Sequence, residues 1–575
     1  MKGIGLLTTV LLATALLAGQ TPLRLEPNRP APKSPSSPPP DNTPSLKPGS
    51  AEGVVINSVT GQPLKKANVT LRNPKGFAYA AVTDATGHFL IENVEPGSYQ
   101  AMAAGDGFMP DQSSRRSGVA SSSVTIAEEQ HVKNVTVKLM PLGLASGHVL
   151  DEDGEPIAGA SVSAQRYMYN LGRKQLNPFG FANTNDLGEF QMLNLQPGRY
   201  YFQVTYNRAQ PSIPGRVKGR VASETYPSTF YPSALEVAQA TPLEVAAGVH
   251  LSNVDFRLRK TRSYHVRGKV LDTSGQVARR VSVQLLPAGG GFFSRLFAPV
   301  QQDGSFDVGG VASGAYTLVS ERQESGLAVS ARKSVNVGDQ DLDDVLLTLA
   351  PGFDISGSTQ VEGVAAVPPS PNGSQPAPQP MRTQVMLQPV DRMGQSARGL
   401  VEDDGTFVLH NVSSGVYQVT VMGYGRKYLK TIRFGDREAP NGEIDLTQQT
   451  GGSLNLVFGA DGGQIEGTVQ NKNGDASSGI IITVAPREEY EGRRDLFKQS
   501  VTDQNGHFLV QDVAPGSYRI FAWEEFDYMT MQSPEVRKIF ESKAASVTVG
   551  ANGRESIQLK SISAEDIAAE KSRLP

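Results

Sequence analysis

Along most of this chain apolar and polar residues alternate in short runs, separated by Gly, Asp, Asn and Pro. Alternation of period two predicts half-buried strands, and the punctuating residues predict tight turns between them. The pattern also repeats. Five segments share it: "TDATGHFLIENVEPGSY", "TNDLGEFQMLNLQPGRY", "QQDGSFDVGGVASGAY", "EDDGTFVLHNVSSGVY" and "TDQNGHFLVQDVAPGSY". In every copy a turn Gly is followed two residues later by Phe, eight residues after that by a second Gly, and two further on by Tyr. The turn glycines are Gly87, Gly188, Gly304, Gly405 and Gly506, spaced 101, 116, 101 and 101 residues apart. A period near one hundred predicts separate units along a string, not a solenoid. Phe and Tyr of each copy are the expected core anchors, each contributing roughly 3–5 kcal/mol relative to Ala.

The flanks of each motif repeat as well. Opening segments carry Gly53-Val54-Val55, Gly147-His148-Val149, Gly268-Lys269-Val270 and Gly467-Thr468-Val469, with a degenerate Gly357-Ser358-Thr359 in the fourth copy. Each copy closes on an alternating run: "NVTVKL", "NVDFRL", "DVLLTL", "SLNLVF" and "ESIQLK". Six or seven short strands per copy predict an all-β protein, a tandem array of about five small antiparallel β-sandwiches of transthyretin or immunoglobulin type. The expected units are residues 50–140, 141–260 (with loop insertions), 261–350, 351–461 (with the Pro-rich insertion Val367–Pro380) and 462–562. A short helical tail, "AEDIAAEKSRLP", is expected over 563–575.

The N-terminus breaks the pattern. Lys2 precedes the uncharged run Ile4–Leu17, and small residues follow, which predicts a signal peptide over residues 1–19. Residues 20–49 carry ten prolines and few apolar side chains, the composition of an extended spacer. The expectation is an exported protein, periplasmic, secreted or at the cell surface, with no membrane span in the mature chain. Composition changes the picture in two further ways. The absence of cysteine rules out disulfides, thiolate metal sites and a lipid-anchoring cysteine. A net charge of −3 from 54 basic and 57 acidic residues gives no basic footprint for nucleic acid.

The first copy, "GVVINSVTGQPLKKANVTL…TDATGHFLIENVEPGSYQAMAAGDGF", resembles the carboxypeptidase regulatory-like domain, and the second and fifth copies resemble it almost as well. The third and fourth are carried mainly by the Gly-x-Phe…Gly-x-Tyr core. The resemblance covers about residues 50–560. It implies a transthyretin-like sandwich grouped with starch-binding-like, carbohydrate-binding folds. It implies no activity, since fold does not fix function.

Candidate chemistry is sparse. None of the seven histidines (His88, His131, His148, His250, His265, His410 and His507) is followed by Glu three residues on, so the zinc carboxypeptidase pair is missing. No Gly-x-Ser-x-Gly elbow, Walker loop or dinucleotide fingerprint lies in an α/β context. Asp151–Gly154 and Asp339–Asp344 could offer carboxylates to calcium, but neither has the full ligand spacing of a calcium loop, and turn chemistry is the expected role of their Asp and Gly. Lys269 is the single first-strand lysine that could enter an isopeptide crosslink, and the other copies lack one. No cofactor, metal or catalytic residue is therefore expected.

The candidate ligand-binding residues are aromatic. Two insertions in the second copy place Tyr167, Tyr169, Phe230 and Tyr231 on long segments, where they either bind a ligand or pack those segments down. In "SYRIFAWEEFDY" Tyr518, Ile520 and Ala522 share the inward face, so Phe521 and Trp523 share the opposite one. That pair either forms an exposed platform or packs beneath the segment 524–540 or against the fourth copy. The sequence thus points to a non-catalytic binding or adhesion array, with a polysaccharide or a surface protein as partner. Its alternative is a structural spacer or interaction scaffold.

Overall fold

The structure is a computed structural model. It describes residues 47–575 apart from 74–75, 112–122, 171–172, 207–222, 288–294, 325–326, 363–381, 392–393, 449–450, 525–530, 532 and 571–575. The signal peptide, nearly all of the Pro-rich spacer and the Val367–Pro380 insertion lie outside the described residues.

The protein is all-β, built from small antiparallel sandwiches. In the first copy the strand Gly49–Asn57 lies between His88–Val94 and His131–Pro141, with Phe108–Pro110 at the edge. The facing sheet runs Ala78–Val82, Asn68–Arg72, Gly97–Ala104, Ser123–Ile126. Between the two sheets sit Phe89, Ile91, Val94, Tyr99 and Ala101, all buried. Equivalent clusters lie within residues 145–258, 266–349, 355–458 and 465–559.

Each motif residue has a visible task. The turn glycines take positive φ, between +70° and +83°. An Asp or Asn beside them closes the turn, as where Asp84 Oδ1 accepts from the backbone N–H of Thr86 and His88. The motif Tyr hydroxyl donates to the carbonyl four residues back in all five copies: Tyr99 to Glu95, Tyr200 to Gln196, Tyr316 to Ala312, Tyr417 to Ser413 and Tyr518 to Ala514, at 2.7–2.9 Å. A buried phenol needs such a partner. Burial pushes the Tyr417 and Tyr518 hydroxyls up to about 12.

The opening glycine is a close-approach residue. Gly53, Gly147, Gly268, Gly357 and Gly467 stand directly opposite the motif Phe across the antiparallel ladder. On the other side the closing strand runs parallel to the opening one, an addition to the antiparallel scheme. Both strands start at the same end because the whole copy acts as the crossover between them. The degenerate opening of the fourth copy, Phe353–Glu362, makes the same pairings.

Successive copies are joined more tightly than units on a string. One residue, Leu142, separates Pro141 from the strand Gly143–Leu150, and Gly352 alone separates Pro351 from Phe353. Three residues, Leu258–Lys260 and Ala460–Gly462, make the other two joints. Linkers this short leave little freedom for independent motion.

Candidate functional site

Strand alternation places Phe521 and Trp523 opposite Tyr518, but the face is not exposed. Both are buried, at 1% and 0% exposure, so of the two alternatives the pair is packed and is not a solvent-facing platform. Their rings stack at 5.3 Å with 10° between planes, and Phe540 meets Trp523 edge-on at 5.3 Å. The cover is a second small core of Met531, Val536, Phe540 and Ile562, with Ile539 and Ile567 beside it. Two helices deliver it. Pro534–Ile539 starts at Ser533, whose Oγ accepts from Val536 N, and Ala564–Glu570 starts at Ser563, whose Oγ accepts from Asp566 N. Ile562 N donates to Ala522 O at 2.7 Å, tying the tail to the edge of the Trp strand.

The first helix is itself anchored by a charge. Arg537 is buried, donates to Met531 O at 3.0 Å, pairs with Glu491, and lies over the Phe497 ring at 5.1 Å. Burial pushes the Glu491 carboxyl up, and the facing Arg537 only partly offsets it.

In the second copy the aromatics also pack. Phe230 is buried in the two-residue strand Thr229–Phe230 on the edge of Gly198–Thr205. Tyr231 is half-buried, edge-on to Phe256 at 5.9 Å. Tyr167 is half-buried between Tyr201, 5.1 Å away edge-on, and Lys174 Nζ, 4.2 Å above its ring. Tyr169 is 6% exposed, and its hydroxyl, pushed up by burial, lies against Ser533 and Glu535 of the fifth copy. The six aromatic candidates are therefore not gathered into one surface. Four are buried and two are held in ring contacts, because an exposed ring of that size gains more from neighbouring apolar surface than from water.

The joint between the fourth and fifth copies was not legible as a site. Arg493, 3% exposed, donates to both carboxylate oxygens of Asp495 at 2.8 and 2.7 Å and to Leu429 O. Gln418 Nε2 reaches Gly492 O at 3.2 Å and Asn441 O at 2.9 Å, and Tyr428 donates to Asp461 at 2.8 Å. The available signal was the charged insertion "EEYEGRRDLF", which would ordinarily be read as solvated surface.

Carboxylates of both acidic runs are engaged within the protein, Asp341 and Asp343 by a cation and Asp151 by its own turn. Arg267 Nη1 contacts Asp341 and Asp343 at 3.0 Å each, and its Nε reaches Asp307 at 3.3 Å. His265 Nδ1 meets Asp307 at 2.6 Å. Asp151 closes its own turn, accepting from Asp153 N and Glu155 N. Lys269 pairs in register with Ser305 and Leu346. Among the described residues no group of three or more His, Asp or Glu is placed to hold a metal ion, and no helix is long and apolar enough to cross a membrane.

The His265–Asp307 pair gives a pH dependence whose sign follows from both partners. The hydrogen bond to Asp307 raises His265 above its usual value, against the desolvation that would lower it. Burial works to raise Asp307, but His265 and Arg267 outweigh it and the carboxyl is lowered. The His contribution is complete below about pH 6.5 and disappears as pH rises through the raised value. The Asp contribution is complete above about pH 4 and disappears as pH falls through the lowered one. Asp307→Asn should therefore cost most near pH 5, by under about 1 kcal/mol because both groups are partly exposed. Urea melts at pH 5 and pH 8 check this, and an equal or larger cost at pH 8 would reject the pairing.

Comparison with solved structures finds distant likenesses. They include the Bacillus anthracis TIE protein (11% identity, 72% of this chain and 68% of that one, TM-score 0.14) and a streptococcal ancillary pilin (9% identity, 52% and 99%, TM-score 0.19). A candidate carbohydrate-binding protein of Pseudomonas aeruginosa is a third (19% identity, 15% and 88%, TM-score 0.12). At such scores they carry no argument about function. No curated protein matches the chain. The first copy, residues 50–140, matches the family model of the carboxypeptidase regulatory-like domain.

Proposed function

We propose that the chain is a non-catalytic, exported scaffold of five sandwich units that holds interaction surfaces at fixed separations outside the cytoplasm. The observation that carries this reading is the joints. Linkers of one or three residues and the buried Arg493 contact leave adjacent units little room to swing. The carboxypeptidase regulatory-like first copy and the use of charged groups in internal ion pairs support a role without catalysis. The run Ile4–Leu17 behind Lys2 supports export.

Small-angle X-ray scattering on the mature chain tests the reading. One fixed conformer should fit the profile. Inserting a flexible Gly/Ser hexapeptide between Ala460 and Asp461 should broaden the distance distribution. A wild-type profile already as broad as the insertion variant's would sink the scaffold.

A second reading, adhesion to polysaccharide, rests on different residues from those first expected. Phe181 and Phe297 occupy the same slot, seven residues before the motif glycine, and are 47% and 63% exposed. Sugar faces stack on such rings. A glycan screen in which binding disappears with Phe181→Ala and Phe297→Ala would favour adhesion over a pure spacer.

A further inference from the structure

The hairpin of the second copy is longer than its sheet. Ser161–Asn170 pairs with Arg173–Asn183 along its whole length, but the third strand, Gly198–Thr205, reaches only to Gln165↔Tyr201. Five further pairs, from Arg166↔Asn177 to Asn170↔Arg173, extend beyond it as a two-stranded arm. At about 3.3 Å per residue the arm reaches some 15 Å past its own sandwich. The corresponding strands of the first copy, Asn68–Arg72 and Ala78–Val82, stop after five residues each. A bare two-stranded arm is marginally stable in water. Something must hold it.

The arm ends against copies that are not its neighbours in sequence. Tyr169 is buried against Ser533 and Glu535, at the start of the helix Pro534–Ile539 in the fifth copy. Lys174 Nζ pairs with Glu535 at 2.7 Å. Arg173 pairs with Glu443 of the fourth copy, and Gln175 Nε2 donates to Val390 O, also in the fourth, at 3.3 Å. The arrangement is that of a small interface, one buried aromatic anchor inside a rim of exposed charge pairs.

We propose that the arm is an intramolecular strap, with Tyr169 as its anchor and Arg173 and Lys174 as its rim, that docks the second copy on the fourth and fifth. The strap fixes the distance between copies two and five across the third and fourth, a constraint that the short joints alone do not impose. This goes beyond the scaffold reading and holds whether or not the chain binds glycan. The rim makes the strap salt-sensitive, because the screening length falls from about 10 Å at 0.1 M to about 3 Å at 1 M salt.

A chain without cysteine makes the test clean. The pair Lys174→Cys and Glu535→Cys, which gives up one rim ion pair and leaves Arg173–Glu443 as the salt-sensitive one, is introduced into the full mature chain and treated with a short bis-maleimide. The expected product is an intramolecular crosslink in a monomer, forming at least tenfold more slowly with Tyr169→Ala and severalfold more slowly in 1 M NaCl. In the same background Glu443→Arg should also slow it, and the swap of Arg173→Glu with Glu443→Arg should restore it, which a merely misfolded arm would not do. Circular dichroism melts confirm that each variant is folded. No crosslink, a crosslink confined to dimers, or a rate indifferent to Tyr169→Ala would each overturn the strap.

Discussion

Replacing Trp523 by alanine is expected to destabilise the fifth copy by about 3–5 kcal/mol, the usual cost of emptying a fully buried large aromatic site. The side chain is 0% exposed, stacked on Phe521, crossed by Phe540 and sealed by Ile562. None of these partners can close the space without moving one of the two covering helices. A domain of this size holds only about 5–15 kcal/mol in all, so the loss should shift its melting transition by more than about 10 °C. Differential scanning calorimetry should show one transition lowered and the remainder in place. The wild-type protein supplies a second readout, since Trp523 is the single tryptophan. Its emission should be blue-shifted and protected from quencher, and removal of residues 561–575 should shift it to the red. A variant that melts within 2 °C of wild type would show that the cover is not a core.

The Trp face illustrates what was legible and what was not. The period-two alternation from Tyr518 to Trp523 assigned each side chain to the correct face, because β geometry leaves no alternative. What lies over a face is a different question. The cover comes from two helices of six and seven residues, Pro534–Ile539 and Ala564–Glu570, and from Ile562 just ahead of the second, each too short to show a period of its own. Ser533-Pro534 was the available signal, a capping residue followed by a proline at the first helical position.

The motif residues were legible for the same reason that the arm was not. Gly87, Phe89 and Tyr99 act within a few residues or within one sandwich, so spacing alone reports their roles. Tyr169 acts against Ser533, more than 360 residues away, and nothing in local pattern distinguishes a docked tyrosine from a ligand-binding one. The parallel closing strands were hidden because alternation is blind to strand direction. Arg493 was hidden because a charge is read as solvated unless its partner, here Asp495 together with Leu429 O, is known.

The opening glycines carry the other large effect. Gly268→Ala would put a Cβ at 1.8 Å from Val345 O and 2.6 Å from the same carbonyl carbon, with the Phe306 ring 2.9 Å away. Two of these three atoms are backbone of the parallel closing strand, so rotamer change cannot relieve the contact. The ladder from Lys269↔Leu346 to Asp272↔Leu349 must shift, and the Phe306 ring must move as well. Expelling Phe306 alone would cost about 3–5 kcal/mol, and overpacking a tight site costs about 1–3 kcal/mol even where it can relax. A loss of at least about 3 kcal/mol is therefore expected, from one added methyl group. Gly338→Ala is the control in the same copy, because a Cβ there meets nothing within 4 Å and its backbone is not left-handed. That change should be neutral or slightly stabilising through the unfolded chain. Calorimetry of the two variants side by side is decisive: comparable melting of both would mean that the parallel strand does not sit against Gly268, and that the third copy closes in some other way.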